Sequence, residues 1–172
     1  MAVDLLLFIA IAEISGVFVG FGALIGVSGR DEIEPSQLQR LRGLVTVGLV
    51  VVIAALIPVL ITSYGFIDHI LWFWSSLIFL CLNWSVMLWT IRQPESRAVM
   101  KSMTRANPVK MALFWLLLEV PLELPLFIVI LGLFPDLDSA FYLTGLLFLL
   151  FQAAYTLATV VYSKSEQPSE VT

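Results

Sequence analysis

Residues 44–63 read LVTVGLVVVIAALIPVLITS, twenty positions without one charged side chain. An α-helix rises about 1.5 Å per residue, so a run of this length reaches across a hydrocarbon layer about 30 Å thick. The same kind of block recurs at 5–27, 67–91, 111–134 and 139–162. A membrane β-strand would alternate apolar and polar residues over about ten positions. Runs such as Leu116-Leu117-Leu118 and Leu146-Leu147-Phe148-Leu149-Leu150-Phe151 do not alternate. The expected fold is therefore all-α: a polytopic integral membrane protein, a bundle of about five transmembrane helices.

Composition agrees. The 172-residue chain is 60% hydrophobic and 13% charged, with a mean hydropathy of +0.99; soluble domains run near 45–50% apolar and about 25% charged. The first block opens Met1-Ala2-Val3-Asp4, without a basic leader, and reads as a retained helix rather than a cleaved signal. Residues 1–163 are expected to form one transmembrane domain, and 164–172 a short polar cytoplasmic tail.

Charge placement orients the bundle. Arg30, Arg40 and Arg42 fall in the connection 28–43. Arg92, Arg97, Lys101, Arg105 and Lys110 fall in 92–110, and Lys164 is in the tail. The turns around Gly65 and Pro135 have no basic residue. Cytoplasmic loops collect Lys and Arg, so the N-terminus is expected outside and the C-terminus inside, in a multi-pass protein of a cell membrane, the inner membrane where the cell is bacterial. Tyr64, Phe66, Trp72, Phe134 and Tyr142 fall near the outer interface; Trp89, Trp115 and Tyr162 fall near the inner one. Trp84 lies deeper, as a packing residue. Pro35 suits a first helical position, which extends the second helix about two turns into the cytoplasm. The mixture of apolar and basic residues at 98–105 suits a short interfacial helix.

Three carboxylates interrupt the apolar blocks: Glu13 in the first, Glu119 and Glu123 in the fourth. A charge at the centre of a membrane helix costs roughly 2.5–3.5 kcal/mol on insertion scales, and no Lys or Arg lies within a span to offset it. A low-dielectric setting favours the neutral carboxyl. Glu119 and Glu123 stand four residues apart on one helical face and titrate as a pair. They sit in Leu118-Glu119-Val120-Pro121-Leu122-Glu123-Leu124-Pro125. Pro121 and Pro125 each remove a helical hydrogen bond, freeing the carbonyls of Leu117 and Pro121. Carboxyl and carbonyl oxygens at one depth are what a hard cation takes as ligands, so the three glutamates are the expected ion or proton site; which metal, if any, stays open. Glu13 shares a small-residue face with Gly16 and Gly20, which predicts that it faces protein. Gly22 and Gly26 form a second close-packing pair, and two such faces predict a homo-oligomer. Asn83 in the third helix and Gln152, Tyr155 and Thr156 in the fifth offer a polar lining.

The sole histidine, His69, reads as a solvated interfacial residue, and the sole cysteine, Cys81, as an inert apolar thiol. There is no H-E-x-x-H, G-x-S-x-G or phosphate-binding glycine loop, so no catalytic role and no cofactor are expected. A pI of 4.8 without a basic-aromatic motif speaks against nucleic acid. The partners expected are the lipid bilayer, copies of the same chain, and a proton or small cation. The leading functional expectation is a small channel or transporter for protons or cations. The alternative is a non-transporting subunit, lipid-binding protein or scaffold with neutral buried carboxyls; an intramembrane enzyme is a weaker third. A reporter fused after Thr172 should read cytoplasmic, and one inserted at 135–138 external. A tail reporter that reads external would overturn the five-span orientation.

Overall fold

The computed structural model describes residues 2–28, 35–93 and 108–165. Among them it has five α-helices and no strand: α1 (Ala2–Ser28), α2 (Pro35–Ser63), α3 (Asp68–Arg92), α4 (Pro108–Ile130) and α5 (Asp138–Ser165), with a single 3-10 turn at Pro135–Leu137 before α5. The segments Leu6–Val27, Arg40–Ser63, Asp68–Arg92 and Pro135–Val161 are each long and apolar enough to cross a membrane. The interfacial helix expected at 98–105, the loop start at 29–34 and the tail beyond Ser165 lie outside the described residues.

Pro35 does open α2, as its missing N–H allows at a first helical position. The fourth block ends early. The apolar pattern runs to Phe134, but α4 stops at Ile130 because Gly132 takes φ +63°. Its N–H bonds to the Val129 carbonyl at 3.0 Å, and Leu133 reaches back to Ile128 at 3.3 Å. This is the left-handed glycine stop that satisfies the last carbonyls of a helix.

The helices α2 and α5 form the centre. The α1–α2 contact is the most extensive; α1 also lies against α5, while α4 packs on α3 and α5. Helix contact in lipid depends on close backbone approach rather than on hydrophobic burial. Two glycines supply it here: a Cβ on Gly48 would stand 2.6 Å from a Val19 methyl, and one on Gly145 only 2.9 Å from the Leu122 carbonyl. Ser15 of α1 donates to the Gly48 carbonyl at 2.9 Å.

The largest fully buried side chain is Tyr142, which has no exposed surface. It is a core residue and not the interfacial aromatic expected from its position near a helix end. Its ring meets Phe8 of α1 and both Trp72 and Phe79 of α3, at centroid separations of 5.7–5.8 Å. Its hydroxyl donates to the Ala54 carbonyl of α2 at 2.6 Å. Ala54 is the residue four before Pro58, which lies inside α2. Proline has no N–H to give, so that carbonyl has lost its helical donor, and Tyr142 replaces it.

The faces of α1 also differ from expectation. Its buried stripe is Phe8, Ile11, Ser15 and Gly22, with Gly22 against Leu44. Positions 11, 15 and 22 share a face at about 100° per residue, and 13 and 20 fall on the opposite one. Glu13 is accordingly exposed, and a Cβ on Gly16, Gly20 or Gly26 would meet nothing within 4 Å. Cys81 is exposed too, rather than enclosed in apolar packing.

Tyr142→Phe should lower stability by about 1–2 kcal/mol, the scale of an orphaned buried acceptor. In a Pro58→Ala background, where residue 58 can again donate to Ala54, the same change should cost far less. Reversible unfolding in mixed micelles, read as a double-mutant cycle, checks this; equal costs in the two backgrounds would refute the replacement.

Candidate functional site

The acidic pair lies on an unbroken helix. α4 keeps helical geometry from Pro108 to Ile130 with Pro121 and Pro125 inside it. Its buried stripe is Leu122, Pro125, Leu126 and Val129. Taking about 100° per residue, Glu119 and Glu123 fall about 60–100° round from Leu122, at the border of that stripe. Both are half-buried there, and their carboxyls are close enough to act on one another.

The neighbour from the adjacent helix is Trp84 of α3, whose indole stands near enough to act on the Glu123 carboxyl. Trp84 is 43% exposed, so it is not the packing residue its depth suggested. The sequence carried a signal for this contact: a tryptophan in mid-span has one N–H to satisfy, and a carboxyl at similar depth is the strongest acceptor available.

Two expected members do not join the pair. Glu13 points away from the bundle on α1, which packs on α2 and α5 rather than beside the groove of α3 and α4. The carbonyls freed by proline do not join it either. Leu117 and Pro121 each precede a glutamate by two positions, which sets them about 160° away round the helix. The oxygens share a depth but not a side. Among the described residues no group of three or more His, Cys, Asp or Glu side chains gathers to hold a metal ion.

The polar seams are mostly closed on themselves. Thr156 donates to the Gln152 carbonyl at 2.8 Å, Thr159 to Thr156 at 2.8 Å and Thr90 to Val86 at 2.9 Å, all within their own helices. Asn83 and Gln152 are half-buried and Tyr155 is exposed.

A second polar contact escaped the sequence reading. His69 at the start of α3 places Nδ1 2.6 Å from Oδ2 of Asp138 at the start of α5. Asp138 is 1% exposed, and its other oxygen has no hydrogen-bond partner. Gly132 makes room, since a Cβ there would stand 3.3 Å from the imidazole. The pair ties the α2–α3 turn to the α4–α5 turn. His69 is thus an inter-turn ligand rather than a freely solvated histidine. Two complementary groups in the two turns that lack basic residues were the available clue.

The fold and the site together define an all-helical bundle, most of its helices fit to cross a membrane, with an acidic pair and an indole donor at one helix border. Compared with known protein families, curated proteins and solved structures, the chain matches none of them.

Asp138→Ala and His69→Ala should each speed amide hydrogen exchange in the two turns, 64–67 and 131–137, while the helix centres stay protected. Because each change breaks the same contact, the double variant should be little worse than either single one. Additive effects would show that the pair does not hold the turns together.

Proposed function

We propose that the chain is a small membrane channel or transporter that passes protons, with Glu119 and Glu123 as the relay. The observation that carries this is the closeness of two carboxyls on α4, in the stretch 111–130 that holds no other charged residue, to one another and to Trp84 of α3. Carboxyls within a span are costly to insert and mark proton relays or ion paths where they persist. An indole N–H only donates, so Trp84 holds one oxygen of Glu123. The other oxygen is left to exchange a proton with Glu119 directly or through one water. Protons are favoured over metal cations because the freed carbonyls stand on the far side of α4 and cannot complete an oxygen shell.

The reading includes five crossings, α4 among them. At 23 residues and about 1.5 Å per residue, α4 is about 34 Å long. It also includes an external N-terminus, on the strength of the basic loops. A second reading, a non-transporting subunit with neutral carboxyls, is favoured by the seam hydroxyls of Thr90, Thr156 and Thr159. Each is bonded within its own helix and offers no continuous lining.

Proton uptake into liposomes holding purified protein, under an imposed potential, separates the two. Glu119→Gln with Glu123→Gln should reduce the flux at least about tenfold, the scale of a lost general acid–base group. Trp84→Phe should reduce it less. Wild-type flux no greater than that of empty liposomes would refute transport and leave the subunit reading.

A further inference from the structure

We propose that His69 and Asp138 form a proton-binding site whose occupancy fastens together the two turns at the base-free end of the bundle. The site is separate from the acidic pair of α4 and stands whether or not that pair passes protons. Nδ1 of His69 and Oδ2 of Asp138 are 2.6 Å apart, the short separation of a charge-assisted bond. The two partners differ in access. The Asp138 side chain has no exposed surface, while that of His69 keeps 37% of its own. Oδ1 of Asp138 is buried as well and has no hydrogen-bond partner. A proton therefore reaches the pair through the imidazole and acts on a carboxyl that has no other partner among the described residues.

The consequence follows from the charge of the pair. A neutral imidazole with its proton on Nδ1 gives Oδ2 one hydrogen bond and leaves the pair negative. One more proton makes the pair neutral overall and keeps the bond. The uptake belongs to the pair, since the total charge is the same with the proton on Nε2 or on Oδ1. A buried net charge is the costly state, so the protonated pair holds the turns more tightly. That extra hold is present at low pH and is lost as pH rises through the titration of the pair. The surroundings add no base. Asp68 precedes His69, Asp136 lies in the 3-10 turn, Tyr64 ends the α2 side, and all three are exposed. Asp4 lies in the first turn of α1, and α4 has no titratable group between Glu123 and its end. No Lys or Arg occurs at 64–91 or 111–163. Negative charge around the imidazole thus works in the same direction as the buried carboxylate.

The test uses the full chain in lipid nanodiscs. His69 is the sole histidine, so nitrogen-15 histidine reports this ring alone. Between about pH 8 and about pH 5, above the range where exposed carboxylates protonate, the ring should gain a proton. Over the same range amide protection at 64–67 and 131–137, corrected for the intrinsic exchange rate, should rise about tenfold, the margin of a charged over a neutral hydrogen bond. His69→Asn keeps an amide N–H near the place of Nδ1 but does not titrate, and its turns should show protection that is flat with pH. In Asp138→Asn the ring should still titrate, but protection should no longer follow it. Protection at the helix centres is the control that each variant is folded. Glu119→Gln with Glu123→Gln should leave the wild-type response unchanged. Flat protection in the wild type, a ring still neutral at pH 5, or a response that survives His69→Asn or Asp138→Asn would overturn the proposal. So would loss of the response in the α4 double variant, which would assign it to the acidic pair.

Discussion

The hydroxyl of Tyr142 lies 2.6 Å from a carbonyl that a proline has stripped of its donor. In an apolar interior a backbone group without a partner costs several kcal/mol, because no water is there to replace the lost bond. Pro58 creates that cost in α2, and α5 removes it. The bond fixes α5 against α2 in depth and rotation together. The ring that carries the hydroxyl is then held by Phe8 of α1 and by Trp72 and Phe79 of α3. Four of the five helices take their places from one side chain.

The fifth helix is set differently. α4 approaches α5 where Gly145 leaves no Cβ beside the Leu122 carbonyl, and this brings the Leu122–Leu126 stripe inward. Once that stripe is inside, Glu119 and Glu123 have no choice but its edge, since they are one and three positions removed from its members on the helical wheel. The edge faces α3, and Trp84 is the α3 residue that meets it. The prolines that distinguish this segment thus act on the helix and not on the carboxyls directly. The carbonyls they free stand on the opposite side.

Polar side chains divide into two kinds in this bundle. Hydroxyls such as those of Thr46, Thr62, Ser75 and Ser85 donate to their own helix one turn back; these bonds need no neighbour and set no packing. Others cross between helices, among them Ser15 to Gly48, Tyr142 to Ala54, and His69 with Asp138. They lie along α1–α2, α2–α5 and α3–α5. Tyr142 and His69 each reach a buried oxygen that its own helix does not satisfy, the Ala54 carbonyl and the Asp138 carboxyl. Spacing of polar residues along a helix does not tell these kinds apart, which is why the seams of α3 and α5 looked more continuous in the sequence than they are.

The existence, type and approximate length of the helices were legible from the residues alone, because the need to satisfy backbone groups across an apolar layer admits few solutions and charge-free blocks of twenty or so residues announce one of them. Pro35 marked the start of α2 for the same local reason. Gly132 ended α4 four residues before the apolar pattern did, since a left-handed turn depends on the bonds of Leu133 and Gly132 and not on hydropathy. What the residues could not say was which face of each helix turns inward. In water an amphipathic stripe gives that away; against lipid, which is as apolar as a core, Leu and Val serve equally on either side. Hence Glu13 faces out where it was expected inside, Tyr142 is the centre where it was expected at the rim, and Trp84 partners a carboxyl where it was expected only to pack. Those three placements were decided by tertiary structure, through close approach at Gly48 and Gly145 and through a carbonyl at Ala54 that needed a donor from another helix.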